Sequence, residues 1–292
     1  AKAPECTEQN FGPIGTGPFR VTEFKANDVI SMEANPMYRD PAKPAFATVT
    51  FKGGGDAAAA ARTVLETGEF DYAWNLQIDP AILSDMEAAG KGTVISSFGT
   101  AVERLMVNLS NPDAALGDKR STLAGGPHPF LTDPAVRKAL SVSIDRSLLA
   151  EVGYGAAGKP TCNVVPGPAI YVSTANDDCL VQDIAKANNI LEAAGWKRGS
   201  DGVRSKDGVR LSILYQTSTN AVRQDTQAFI KQWWSEIGVE TELKNISASV
   251  FFGGDQSSPD TYQKHFSDIE MYTNIFSGTD PEAYMGSWVC SE

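Results

Sequence analysis

The chain predicts an α/β fold, and three features of its pattern carry that reading. From Thr48 onward, runs of strand character alternate with runs of helical period. The segments "LSILYQ", "NAVRQDTQAFIKQWWSEIG" and "VETELKNI" follow one another as a β–α–β unit, which implies a parallel pair with a right-handed crossover. Asp79-Pro80 places an N-cap acid before a proline at the first helical position, a strong helix start. A fold of this class places ligands at the C-terminal ends of its strands.

The first fifty residues differ from the rest. "GPFRVTEFKANDVISMEANPMY" alternates apolar and polar residues around Asn27-Asp28, the pattern of a β-hairpin with no obvious partner strand. "FKGGGD", Phe51 to Asp56, reads either as a crossover between domains or as a plain polar loop. "ATVTFK" is rich in β-formers, and Ala57 to Glu66 is helical and ends before Gly68. "FDYAW" has a strand pattern, and the helix opened by Asp79-Pro80 runs through Ile82, Leu83 and Met86 to Gly90. "TVISSF" and "RLMVNL" read as two further strands.

"TDPAVRKALSVSIDRSLLAEVG" predicts one amphipathic helix. Val136, Leu140, Ile144 and Leu148 recur every four residues beside Ala139; Thr132 or Asp133 caps the start, and Gly153 follows the end. In that reading Asp145-Arg146 forms an ion pair late in the helix. "DIAKANNILEAAG" presents Ile184, Ala187, Leu191 and Ala194 on one face. The helix of the β–α–β unit turns Val222, Phe229, Ile230, Trp233 and Ile237 inward and stops at Gly238.

Composition narrows the function. The 292 residues are 42% hydrophobic and 21% charged, ordinary for a globular protein and enough for one large domain or two smaller ones. A net charge of −11 disfavours nucleic acid or an anionic membrane as the main partner. No apolar run reaches membrane-spanning length, and no signal-peptide pattern opens the chain. The four cysteines form no C-x-x-C pair, and only His128 and His265 supply imidazole, so no metal or other cofactor is expected. Cys162 and Cys179 bracket a loop rich in Pro, Ser, Asn and Asp. A disulfide closing it, in an oxidising compartment, is the favoured reading, and two unrelated buried thiols are the alternative.

An enzyme is not expected. "GTGPF" lacks the strand–loop–helix context of a nucleotide loop, and no Gly-x-Ser-x-Gly, His-Glu-x-x-His or Walker pattern is present. Binding has better support at three predicted strand ends: Trp74 and Asn75; Tyr215, Gln216, Thr217 and Ser218; and Asn274, Phe276 and Ser277. Aromatics beside neutral hydrogen-bonding groups suit a small polar ligand. The alternative for each is core packing, or helix capping for Ser218.

Taken together and in order, "GTGPF", "ANPMYRDPAKPAFATVTF", "ARTVLETGEFDYAW", "RLMVNL", "PFLTDPAVRKALSVSIDRSLL", "ANNILEAAGW", "LYQTSTNAVRQDTQAFIKQWWSEIGV" and "TDPEAY" resemble the extracellular solute-binding proteins, family 5, of bacterial ABC importers. The resemblance runs from Gly15 to Tyr284. It implies a periplasmic-binding-protein-like receptor (type II, two-lobed, large-family variant) with no catalytic residues. Such a receptor is periplasmic or lipid-anchored outside the cytoplasmic membrane, acts as a monomer, and delivers its solute to an ABC permease. On this basis residues 1–51 are expected to end the first lobe and residues 52–292 to form the second, incomplete at its C-terminus. In peptide-binding members an aspartate shortly before the "DP" or "EP" pair holds the peptide's amino group. Alignment on Asp280-Pro281 puts Ser277 there, and a hydroxyl cannot neutralise an ammonium. The expected ligand is a peptide or peptide-sized polar solute, with a sugar conjugate, an opine or another metabolite as the alternative. A cleft-bearing hydrolase is a more distant one.

Overall fold

The computed structural model describes residues 7–288 apart from Gln256, Ser277 and Thr279. In chain order the elements begin with α1 (Thr7–Phe11), β1 (Phe19–Lys25), β2 (Val29–Ala34), β3 (Thr48–Lys52) and α2 (Ala57–Leu65). They continue with α3 (Pro80–Glu87), β4 (Ala101–Val107), α4 (Pro134–Val142), α5 (Arg146–Tyr154) and α6 (Ile184–Ala193). A small ladder follows, β5 (Lys197–Arg198), β6 (Arg204–Lys206) and β7 (Val209–Arg210). The last elements are β8 (Ser212–Ser218), α7 (Ala221–Glu236), β9 (Glu240–Ile246), α8 (Ala248–Phe251), β10 (Ile269–Ile275) and α9 (Glu282–Gly286). The chain forms two compact units, Ala1–Thr63 and Val64–Glu292.

The first unit is an antiparallel meander in the order β1-β2-β3. The hairpin pattern is realised, and the partner that its sequence did not disclose is β3. Asn27 takes a left-handed φ of 60° at the hairpin tip, as a three-residue loop requires. The Gly53–Gly54 turn folds back onto that tip: Gly53 N donates to Asp28 O at 2.7 Å, and Lys52 pairs with the Asp28 carboxylate. A Cβ on Gly54, at φ +79°, would lie 2.2 Å from Asn27 O, so only glycine fits there.

The second unit is built on a mixed four-stranded sheet in the order β4-β10-β8-β9. The predicted β8–α7–β9 unit is parallel, β10 lies parallel to β8, and β4 closes the edge antiparallel to β10. One core joins β8 and β10 to helices α4, α6 and α7: Val136, Leu140, Leu191, Ile213, Tyr215, Ile230, Trp234 and Ile237 are all buried in it. The inward faces expected of those helices are observed, and on α7 the unexpected Trp234 joins them, fully buried. Asp79, Asp133, Asp183 and Asn220 cap α3, α4, α6 and α7, each side chain accepting a backbone N–H of the first turn.

Two expectations are corrected. The helix predicted from "TDPAVRKALSVSIDRSLLAEVG" is two helices, broken at Ser143–Asp145. Asp145 accepts the Leu148 N–H at 2.9 Å and so starts α5 instead of continuing α4, a local bond that competes with the helix ladder. Its neighbour Arg146 makes no ion pair with it. The guanidinium instead donates at 2.9 Å to the carbonyls of Ser141 and Cys179, tying the end of α4 to the Cys162–Cys179 disulfide. "FDYAW" and "TVISSF" are irregular, not strands. Their alternation is real, but a strand also needs a ladder partner, and residue pattern alone does not supply one. Ile95 and Phe98 are accordingly exposed.

Candidate functional site

The C-terminal ends of β8 and β10 meet β4 over a satisfied polar floor. Register sets Glu103 of β4 opposite Thr273 of β10, on the same sheet face as the core residues Leu105 and Val107. Arg223, in the first turn of α7, donates from Nε and Nη2 to the Glu103 carboxylate at 3.1–3.3 Å. Its Nη1 donates to Ser218 Oγ at 2.6 Å, and its Nη2 lies 3.3 Å from Thr273 Oγ1. Thr273 and Tyr154 donate their hydroxyls to Glu103 Oε2 at 2.8 and 3.1 Å. Burial, with the Glu103 charge second, pushes the Tyr154 phenol well above its ordinary value, so it stays a donor. The pair is charge-balanced and hydrogen-bonded on most sides, which makes the floor rigid rather than attractive to ions.

This floor anchors the loop before α3. Gln77 Nε2 donates to Glu103 Oε2 and Tyr154 Oη, both at 3.4 Å, and Gln77 Oε1 accepts from Asn220 Nδ2 at 2.8 Å. Ile78 is buried and Asp79 caps α3, so both ends of this short stretch are held. The residues immediately before it are free of the core: Tyr72 is 76% and Trp74 73% exposed, and Asn75 is exposed with a left-handed φ of 57°. An exposed indole on a fixed backbone offers contact area without a large ordering cost.

A second loop reaches the same sheet end. The Cys162–Cys179 disulfide closes residues 162–179, in which Tyr171 packs edge-on against Phe276 at 6.4 Å. Thr100 Oγ1 donates to Phe276 O at 2.5 Å, and Phe276 contacts Tyr284 at 6.3 Å. Asn274 is exposed, its Oδ1 accepting from Ile275 N.

The strand-end residues therefore separate into two groups. Trp74, Asn75 and Asn274 present side chains to solvent, and Phe276 lies just beneath, buried. Tyr215, Gln216, Thr217 and Ser218 are enclosed. Tyr215 packs on Trp234, Gln216 Nε2 donates to Asp260 O, Thr217 Oγ1 donates to Met271 O, and Ser218 accepts from Arg223. Ser277 lies outside the described residues, as do Cys6 and Cys290. Glu103, Arg223, Gln77 and Tyr154 were not anticipated. A visible signal did exist for one of them: Glu103-Arg104 interrupts the apolar strand "AVERLMV", and a charge inside a strand demands a partner.

Two polar clusters lie elsewhere. His128 Nε2 contacts Asp268 Oδ1 at 2.8 Å, while its Nδ1 accepts the N–H groups of Phe130 and Leu131. Both ring nitrogens are thus engaged in holding the chain before α4, and neither is left for proton transfer. Glu270 is fully buried; Oε1 accepts from Ser267 Oγ at 3.2 Å, and Oε2 has no hydrogen-bond partner. Burial raises its carboxyl to about 8, and His265 Nδ1, kept low by burial, stands 3.7 Å away. Among the described residues no group of three or more His, Cys, Asp and Glu is placed to hold a metal, and no helix is long and apolar enough to cross a membrane.

An α/β sheet end with a locked polar floor and exposed aromatics suits a small polar ligand. The match is to one family in particular. Residues 1–292 fit the bacterial extracellular solute-binding proteins, family 5 Middle, and the chain belongs to that family, whose members are binding proteins and not enzymes. It is 28% identical over 248 residues to Protein XP55 of Streptomyces lividans, covering 85% of this chain and 41% of that protein. It is also 28% identical over 255 residues to the oligopeptide-binding protein OppA of Lactococcus lactis, covering 84% of this chain and 39% of the relative. The chain thus spans about two fifths of the length of these relatives. Among solved structures, NikZ from Campylobacter jejuni in complex with Ni(L-His) superposes with a TM-score of 0.70 at 22% identity, covering 96% of this chain and 50% of that one. That likeness shows the fold, which is periplasmic-binding-protein-like.

Proposed function

We propose that this protein is the substrate-binding component of an ABC importer that captures peptides or peptide-sized polar solutes and delivers them to a membrane permease from outside the cytoplasmic membrane. In this reading residues 1–51 belong to the first lobe and residues 52–292 to the second. The observation that carries it is the Trp74–Asn75 loop, exposed at its tip and anchored through Gln77 to the Glu103–Arg223 floor. Trp74, Asn75 and Asn274 are the contacts offered to ligand, with Phe276 and Tyr171 as apolar backing. The name of the lactococcal relative, an oligopeptide-binding protein, supports the peptide reading.

A non-peptide ligand is the second reading, and one observation favours it. Glu103, the carboxylate at the floor, is already paired with Arg223 and accepts the Thr273 hydroxyl, so its charge is neutralised from within the fold before a ligand's ammonium arrives. Calorimetric titration of the full-length protein against a library of short peptides separates the two. Peptide binding in the micromolar range or tighter, weakened about tenfold or more by Trp74→Ala, is expected. A flat response to every peptide, alongside a thermal shift with a glycoside or an opine, removes the peptide reading.

A further inference from the structure

The guanidinium of Arg104 differs from the other enclosed arginines. Arg223 has Glu103, Arg204 has Glu192 at 2.8 Å, and Arg146 is surrounded by carbonyls. Arg104 has no carboxylate partner among the described residues, although the chain carries 36 acids against 25 Lys and Arg. It stands on β4 opposite Tyr272, on the sheet face away from Glu103. Three aromatic rings surround it, with centroids at 4.9 Å (Trp288), 5.5 Å (Tyr272) and 5.7 Å (Tyr284). Nη1 donates to the Tyr284 hydroxyl, and Nε is buried with no acceptor among the described residues.

Such an arrangement is half complete. Ring faces stabilise a cation, but they do not accept the in-plane N–H groups, and a buried orphan donor costs on the order of 1–3 kcal/mol. Nη1 is committed to Tyr284 and the Tyr272 hydroxyl also bonds the guanidinium, so the edge that carries the orphaned Nε is the one that suits a carboxylate. The cage is continuous with the sheet end: Tyr284 contacts Phe276, and Phe276 contacts Tyr171. Glu270, on the same face of β10 two residues before Tyr272, turns Oε1 to Ser267 and Gln216 and makes no ion pair with Arg104.

We propose that Arg104 is the anchor for a carboxylate on the transported solute, so that this receptor selects anionic ligands. The inference rests on the solute-receptor reading above and narrows its substrate class. The carboxylate takes the edge that carries Nε, and Tyr272 and Tyr284 keep the guanidinium plane fixed. Entry requires the Trp288 ring, 38% exposed, to move off the guanidinium. The consequence is a receptor whose described acid at the floor is neutralised from within, while a cation on the opposite face of the same strand takes an external partner.

The test uses the full-length protein and two matched probe sets in calorimetric titrations. One set is the tripeptide Ala-Phe-Ala and its C-terminal amide; the other is an opine-type N-carboxyethyl amino acid and its dimethyl ester. Free acids are expected to bind about 10- to 100-fold tighter than their neutral forms, the range of a charge-assisted bond. Arg104→Met should bring acid and neutral forms to within about threefold, and melting by circular dichroism reports whether that variant is folded. Arg104→Lys, which keeps the charge without the planar fork, should retain part of the preference and serves if the methionine variant unfolds. Equal binding of acid and neutral forms by the wild type, or an undiminished preference in both variants, overturns the assignment. Silence from the peptides with binding of the opine acid instead removes the peptide reading and leaves Arg104 in its role. A flat response from all probes overturns both.

Discussion

Replacing Glu270 by glutamine tests whether an uncharged carboxyl is built into the second unit. The folded protein holds this group at about 8 through burial, against an ordinary value of 4.5 once unfolded. Between those values the native state keeps a proton that the unfolded chain has released. A raised folded value means that the contribution is fully present below about pH 4.5 and is lost as pH rises toward 8. At about 1.4 kcal/mol per pH unit, the loss across that window reaches roughly 5 kcal/mol, and at pH 7 it is about 3 kcal/mol. His265, kept neutral in the fold by burial, contributes an opposite slope below its ordinary value of 6.5, where the unfolded imidazole takes up a proton, and wild type and variant share that contribution. Glutamine retains an acceptor for Ser267 and carries no charge to ionise. Urea unfolding of wild type and Glu270→Gln at each pH from 5 to 9 is the assay. The wild type should lose stability steadily relative to the variant up to about pH 8 and level off above it, and the variant should be the more stable at pH 7. Parallel profiles would refute the reasoning and show that Glu270 ionises as freely in the fold as in water.

The Glu103–Arg223 floor gives a second prediction. Glu103→Ala strands a buried guanidinium and should cost about 3–5 kcal/mol, while a double change to apolar residues of similar volume should recover much of it. Denaturant midpoints across the double-mutant cycle report this, and additive losses would contradict a coupled pair. The disulfide gives the third. Serine at both Cys162 and Cys179 should remove about 3 kcal/mol through the longer freedom of the unfolded loop, read as a lowered melting temperature that reductant reproduces only in the wild type.

Much of the architecture was legible because it rests on local chemistry. Asp79-Pro80, the inward series Val136, Leu140 and Ile144, and the run from Asn220 to Gly238 carry their own start, face and stop. The break at Asp145 was also written locally, as an aspartate that prefers an N-cap to a helix interior, but the four-residue recurrence around it masked the signal. The site was less legible. Tyr215, Gln216 and Thr217 end a strand exactly as rim residues would in pattern, yet each is drawn into the core by a partner more than ten residues away.

Sequence alone thus established the α/β class, the helical faces and the resemblance to the solute-binding family, and it favoured the pairing of Cys162 with Cys179 that the structure shows. Each depends on residues near one another in the chain or on an ordered set of short motifs. Only the tertiary structure decided which strand-end side chains face outward, that β3 completes the first meander, and that Glu103 spends its charge on Arg223, 120 positions away. It alone placed the guanidinium of Arg104 among three rings, with no acid partner among the described residues. Burial and charge pairing are properties of neighbours in space, and a residue's neighbours in the chain do not name them.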